Sequence, residues 1–155
     1  MVGGGARGRA LAGELVADGH AVRITTRREA RRAAIEAAGA ECWLGTPDRV
    51  ATLRYALEGV TIACWLLATA CGEPDALAAL HGSRLEFFVQ QTIDTTVRGL
   101  VYEAAGSVPA ATLAAGRALV VERAEYNAIP LRVLDADPRG PAWVPSARAA
   151  IEGLL

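Results

Sequence analysis

Apolar and polar positions along the chain switch repeatedly between two periods. From Ala6 to Asp18, residues Leu11, Ala12, Leu15 and Val16 form one apolar stripe, and Arg9, Glu14 and Asp18 fall off it, which is the spacing of an amphipathic helix. Gly19-His20 ends that segment, and Ala21 to Thr26 reads as a strand. Arg28 to Ala38 has the composition of a helix, and Gly39 stops it where a left-handed cap is needed. Glu41 to Leu44 is a short strand ending at Gly45. Pro47-Asp48 opens a helix with Val50, Leu53 and Leu57 at core spacing, closed by Gly59. Val60 to Thr69 is continuously apolar, as a parallel strand covered on both faces is. Ser83 to Asp94 predicts a helix with Leu85, Phe88 and Val89 on one face, and Val97 to Tyr102 a strand. Pro109 to Tyr126 predicts a long helix, with the proline suited to its first turn, and Ile129 to Leu134 the last strand. The Pro/Gly-rich stretch from Asp137 to Pro145 leads into a short terminal helix, Ser146 to Leu154.

Strands that alternate with helices require parallel pairing and right-handed crossovers. With Met1-Val2 counted as a first strand there are six, and the expected fold is a three-layer α/β Rossmann domain over residues 1–155, strand order 3-2-1-4-5-6. That first strand would be central, yet only two residues precede the glycines. Either it is unusually short, or the natural start lies upstream.

Length and composition narrow the function. A chain of 155 residues with 52% hydrophobic and only 5% aromatic content suits one domain with an aliphatic core. The net charge of -1 gives no reason to expect nucleic acid or an anionic membrane as a partner. All 16 basic residues are Arg, because the chain contains no Lys. Cys42, Cys64 and Cys71 are odd in number and form no CxxC pair, so reduced thiols in a cytoplasmic protein are expected. Cys71, at a strand end, is the thiol to examine for reactivity. No signal-peptide pattern precedes the glycines, and the apolar run Val60 to Cys71 is too short to span a bilayer. The two histidines and scattered cysteines have no metal-ligand spacing.

Gly3-Gly4-Gly5-Ala6-Arg7-Gly8 carries the chemistry. Gly3, Gly5 and Gly8 match G-x-G-x-x-G, which supplies a tight turn, close approach of a pyrophosphate to the backbone, and close packing of helix on strand. Its context fits, since it opens an amphipathic helix and a strand follows. The free N–H groups and positive end of that helix would face phosphates. Cofactor choice falls to the end of the following strand. An Asp or Glu there would bind the ribose 2′-hydroxyl of NAD. The chain has Thr25-Thr26-Arg27-Arg28, and a guanidinium is the natural partner of a 2′-phosphate, so NADP is expected over NAD. Arg7 would add a second positive charge. Arg31 and Arg32 read as the solvated face of the next helix.

On these residues the chain resembles the atypical, NAD(P)H-binding and epimerase-like branch of the short-chain dehydrogenases/reductases. Leu57-Glu58-Gly59-Val60 and the strand into Leu67-Ala68-Thr69-Ala70 resemble that family's fourth unit, and the resemblance implies that Ala68 and Thr69 line the cofactor. His81-Gly82-Ser83-Arg84 to Val101-Tyr102 resembles the next helix and strand, and Glu122-Arg123 with Ile129-Pro130-Leu131-Arg132 the long helix and sixth strand. The family catalyses with a Ser or Thr after the fifth strand and a Tyr and Lys four residues apart on the following helix. The Lys lowers the Tyr pKa so that the phenol can shuttle a proton. Here Glu103-Ala104-Ala105-Gly106 follows the strand, and the Tyr and Lys positions fall near Ala114 and Ala118. Arg117 does not replace a Lys, because it does not deprotonate. The chain is also short after the sixth strand.

Weak catalytic candidates remain in Tyr102, at the carboxyl end of the fifth strand beside Glu103, and Ser107 just beyond. The alternative for Tyr102 is a half-buried strand aromatic. His81 reads as a surface residue at a helix start, its alternative being a proton donor near the nicotinamide, and His20 reads as a turn residue. Trp43 and Trp65 read as core, and Trp143 as a cover for the cofactor cleft or a subunit interface. Three functions stay open: an NADP(H)-binding module without standard catalysis, a small NADPH-dependent reductase of a flavin, quinone or similar acceptor, and an interaction protein with a vestigial site. The resemblance also implies a homodimer through the long helices.

Overall fold

The computed structural model describes residues 1–155. Five strands form, all parallel. Strand β1 (Arg23–Thr26) pairs with β2 (Glu41–Leu44), Arg23 opposite Glu41 and Thr26 opposite Leu44. Strand β3 (Ile62–Trp65) pairs with β4 (Gly99–Glu103), and β4 with β5 (Leu131–Leu134). The expected six strands are therefore five, because Met1-Val2 contribute a single bridging residue. Val2 lies parallel to both Thr25 and Trp65. Its N–H donates to the Cys64 carbonyl at 2.8 Å, its carbonyl accepts from Leu66 N–H at 2.9 Å, and the Met1 carbonyl accepts from Thr25 N–H at 3.0 Å.

Helices cover both faces. In chain order they are α1 (Ala6–Ala17), α2 (Arg32–Glu36), α3 (Ala51–Arg54), α4 (Pro74–His81), α5 (Ser83–Thr92), α6 (Ala110–Tyr126) and α7 (Trp143–Glu152). Alternation along the central strands divides the core, as the two-residue period of a strand requires. Trp65 and Tyr102 point into a cluster with Leu85, Phe88, Leu100 and Val120. Their neighbours Cys64 and Val101 point the other way, to Leu11, Leu15, Leu134, Trp143 and Ile151. A side chain such as Leu11, with no exposure, contributes roughly 1.5–3 kcal/mol by leaving water.

Several boundaries differ from the pattern reading. The apolar run Val60 to Thr69 is a strand only over Ile62–Trp65, because beyond Trp65 the chain turns out towards α4. Helix α4 carried no clear period, and Pro74 at its first turn is its main local signal. The segment after β1 begins as a 3-10 turn, Glu29–Arg31, before α2. Helix α7 starts at Trp143 rather than Ser146, and Pro145 fits in its first turn, where no N–H needs an intrahelical acceptor. Trp43 is half-buried rather than core: its Nε1–H donates to the Thr52 carbonyl at 3.0 Å, and the Arg23 guanidinium lies 5.5 Å from its ring centroid.

His81 is buried rather than on the surface at a helix start: it is the last residue of α4 and packs against Tyr102 of β4. Its Nδ1 lies 2.9 Å from the Tyr102 hydroxyl and its Nε2 3.3 Å from the Leu67 carbonyl. Tyr102 also reaches the Leu113 carbonyl at 3.3 Å, and Gly116 leaves the room in which the phenol docks under α6. Burial lowers the His81 pKa and raises that of Tyr102, each by disfavouring the charged form. The folded state then binds fewer protons at His81 than the unfolded chain does on the acid side of neutrality. Stability is therefore expected to fall as the pH drops below about 6.5, by up to about 1.4 kcal/mol per pH unit. Urea unfolding across pH 4.5–7.5 should show that acid limb, and His81→Gln should flatten it.

Candidate functional site

The glycine turn is mechanically constrained at two of its three marked positions. Gly3 has φ +132°, a conformation that L side chains rarely adopt, and a Cβ there would collide with the Leu66 carbonyl. A Cβ on Gly8 would collide with the Gly3 carbonyl, so the third glycine lets α1 start hard against the turn. Gly5 differs: a Cβ there would meet nothing within 4 Å. It faces open space at the point where α1 begins, and it is that helix's N-cap. No side chain caps α1 and no acidic residue occupies its first turn. The first-turn N–H groups are thus left for an external acceptor, and the helix dipole favours an anion there.

A cleft of about 670 Å³ opens in front of this turn, in the size range of small-molecule and cofactor sites. Gly3, Gly5, Ala6, Arg7 and Gly8 line it, as do Arg27, Arg28 and Thr69. Ala68 does not: it is fully buried, and its N–H donates to Glu103 Oε2 at 2.9 Å. Tyr102 does not reach the cleft, since its phenol is held in the core by His81 and Leu113. Ser107 is exposed on the loop after β4 and is not among the lining residues. Ala114 and Ala118 lie on the exposed side of α6, and Arg117 is held by Asp135 at 3.0 Å.

The cleft has two unlike ends. At one, four arginines, Arg27, Arg28, Arg31 and Arg84, share the lining with one carboxylate, Asp48, which pairs with Arg84 at 2.7 Å and Arg27 at 3.8 Å. Arg31 thus faces the cleft rather than joining Arg32, which pairs with Glu29 and Glu36. Arg84 and Asp48 were not legible as site residues, because each stands near a helix start in a different unit and carries no motif. At the other end the wall is apolar, with Leu66, Leu67, Ala70, Leu77 and Leu80 beside the exposed Cys71. Cys64 is sealed in the core, and burial pushes its thiol up to about 11.

Glu103 closes the floor. It has no exposure, and its carboxylate accepts from Arg7 Nη1 at 2.7 Å, Trp143 Nε1 at 2.8 Å and Ala68 N–H at 2.9 Å. Arg7 Nη2 donates to Thr69 Oγ1 at 2.7 Å, and the guanidinium stacks on the Trp143 ring, 4.4 Å from its centroid. The charge expected of Arg7 for a phosphate is therefore committed to Glu103. Trp143 covers the inner wall of the cleft from α7.

No protein-family model and no curated protein matches the chain, but solved structures do. A short-chain dehydrogenase/reductase superfamily protein from Agrobacterium tumefaciens, solved with bound NAD, is 19% identical over 86% of this chain and 47% of its own, with a TM-score of 0.70. Triphenylmethane reductase from Citrobacter sp., complexed with NADP(H), is 17% identical over 86% and 47%, with a TM-score of 0.66. An NADPH-dependent quinone oxidoreductase from Escherichia coli is 16% identical over 98% and 52%, with a TM-score of 0.64. The chain spans about half the length of these proteins. At such identities the likeness is one of fold: this chain has the Rossmann-type α/β architecture that these structures share. No helix is long and apolar enough to cross a membrane.

Removing Glu103 leaves the Arg7 guanidinium without its counter-charge and two donors without an acceptor. Glu103→Ala is expected to cost about 3–5 kcal/mol of stability, and Glu103→Gln, which keeps an acceptor oxygen, distinctly less. Urea denaturation of the two variants checks the order.

Proposed function

We propose that this chain is an NADP(H)-binding Rossmann protein of the atypical short-chain dehydrogenase/reductase type that does not run the family's Ser-Tyr-Lys reaction. The observation that carries the reading is the open face at Gly5, at the uncapped start of α1, with Arg27 and Arg28 at the end of β1 on the same cleft. The pyrophosphate would lie against the first-turn N–H groups, and the ribose 2′-phosphate against Arg27 and Arg28. When bound, the cofactor supplies hydride-transfer chemistry. What the protein adds is binding and orientation. Thr69, held by Arg7, fixes the wall beneath the far end of the ligand, and Trp143 with Glu103 shuts water out of the floor. The positions where the resemblance implies a Tyr and a Lys hold Ala114 and Ala118, and Ala104 and Ala105 follow β4 in place of a hydroxyl residue.

A second reading is a small NADPH-dependent reductase of a flavin, quinone or similar acceptor. The apolar wall of Leu66, Leu67, Ala70, Leu77 and Leu80 favours it, because a flat apolar acceptor needs positioning more than a protein acid.

Titrating NADPH and NADH by calorimetry tests the main reading. NADPH is expected to bind more tightly, and Arg27→Ala to weaken it by about tenfold, the loss of one charge-assisted contact. Failure of the wild-type protein to bind either nucleotide would refute the reading.

A further inference from the structure

The cationic end of the cleft contains a carboxylate that simple anion binding does not require. Asp48 Oδ1 lies 2.7 Å from Arg84 Nη1, and Asp48 Oδ2 lies 3.8 Å from Arg27 Nη1. Its own loop fixes it there. Asp48 N–H donates to Thr46 Oγ1 at 3.2 Å, and that hydroxyl donates to Asp48 Oδ2 at 3.3 Å. The three charged residues come from separate units: Arg27 follows β1, Asp48 follows β2, and Arg84 stands in the first turn of α5. Asp48 therefore ties two arginines across the cleft mouth.

Exposed ion pairs of this kind contribute little to stability, and the side chains of Arg27, Asp48 and Arg84 are 63%, 49% and 28% exposed. The tie is cheap to break. A phosphate monoester carries nearly two negative charges and three acceptor oxygens, and it competes for the same guanidinium forks as a single carboxylate.

Given that this cleft holds a dinucleotide, we propose that Arg84 and Asp48 set its selectivity. Arg84 joins Arg27 in holding a 2′-phosphate, and Asp48 is the internal counter-ion which that phosphate displaces. A ligand with a free 2′-hydroxyl leaves Asp48 on its arginines and gains nothing from them. A 2′-phosphorylated ligand takes both arginines and is repelled by Asp48. The carboxylate thus holds down affinity for the phosphorylated ligand selectively.

The test measures NADPH and NADH dissociation constants by calorimetry for the wild type, Asp48→Asn, Arg84→Gln and the double variant. Asp48→Asn is expected to tighten NADPH by about three- to tenfold and to move NADH by less than about twofold. Arg84→Gln should weaken NADPH by about tenfold, and in its background the gain from Asp48→Asn should shrink, because that gain runs through Arg84. Arg84→Gln removes no hydrogen bond of the Thr46 loop, so it keeps the test decisive if Asp48→Asn disturbs that loop. An unchanged NADPH-to-NADH ratio in both single variants, or weaker NADPH binding by Asp48→Asn, overturns the proposal and leaves dinucleotide binding standing. A wild type that binds neither nucleotide overturns both.

Discussion

A carboxylate with no exposure to water must find its donors inside the protein, and the donors of Glu103 come from three different parts of the chain. Arg7 reaches it from the first turn of α1, Trp143 from the start of α7, and Ala68 from the backbone beyond β3. Glu103 itself ends β4. One side chain therefore sets the glycine turn, the central strand ends and the terminal helix at fixed distances from one another. Charge-assisted bonds are short and directional, and inside a poorly polarisable interior they are expensive to leave unmade. The cleft floor is the consequence: Thr69 is held by the second nitrogen of Arg7, and the indole of Trp143 carries the guanidinium on its face.

The same contact explains why the chemistry of the cleft differs from what the resemblance implies. The resemblance would have a hydroxyl follow the fifth strand, with a Tyr/Lys pair on the next helix. This chain has the Arg7–Glu103 ion pair, buried on the Glu103 side, and alanines. Arg7 is paired with Glu103, so the proposed recognition rests on backbone N–H groups at the start of α1 and on the arginines near Asp48. Binding and proton transfer are thus separable here. On the proposed reading the parts for the first are the uncapped start of α1 and the arginines of the cleft, and the family's parts for the second have no counterpart at Ala114 and Ala118.

Legibility in the sequence followed how local each determinant was. The glycine turn could be read because its function depends on spacing within six residues, and the collisions a Cβ would cause at Gly3 and Gly8 are backbone effects encoded on the spot. Helices α1 and α6 and strands β2 and β4 were evident from period and punctuation. The first strand could not be settled, because Val2 owes its bridging role to partners more than twenty residues away in either unit. Tyr102 read as a half-buried strand aromatic, and only the packing of α4 and α6 shows it fully buried against His81. The burial of His81 is hidden for a similar reason: α4 has weak local signals, so the sequence around His81 resembles the start of the next helix. Arg84, Asp48 and the partners of Glu103 converge from separate units, and no local pattern marks such convergence.

The central claim is that the start of α1 and the end of β1 hold one dinucleotide. Backbone hydrogen exchange with and without saturating NADPH measures this most directly. Slowed exchange at residues 4–8 and 25–28, with the strands β4 and β5 unchanged, is the predicted result. Unaltered exchange at the glycine turn, or protection only elsewhere in the chain, would contradict the account.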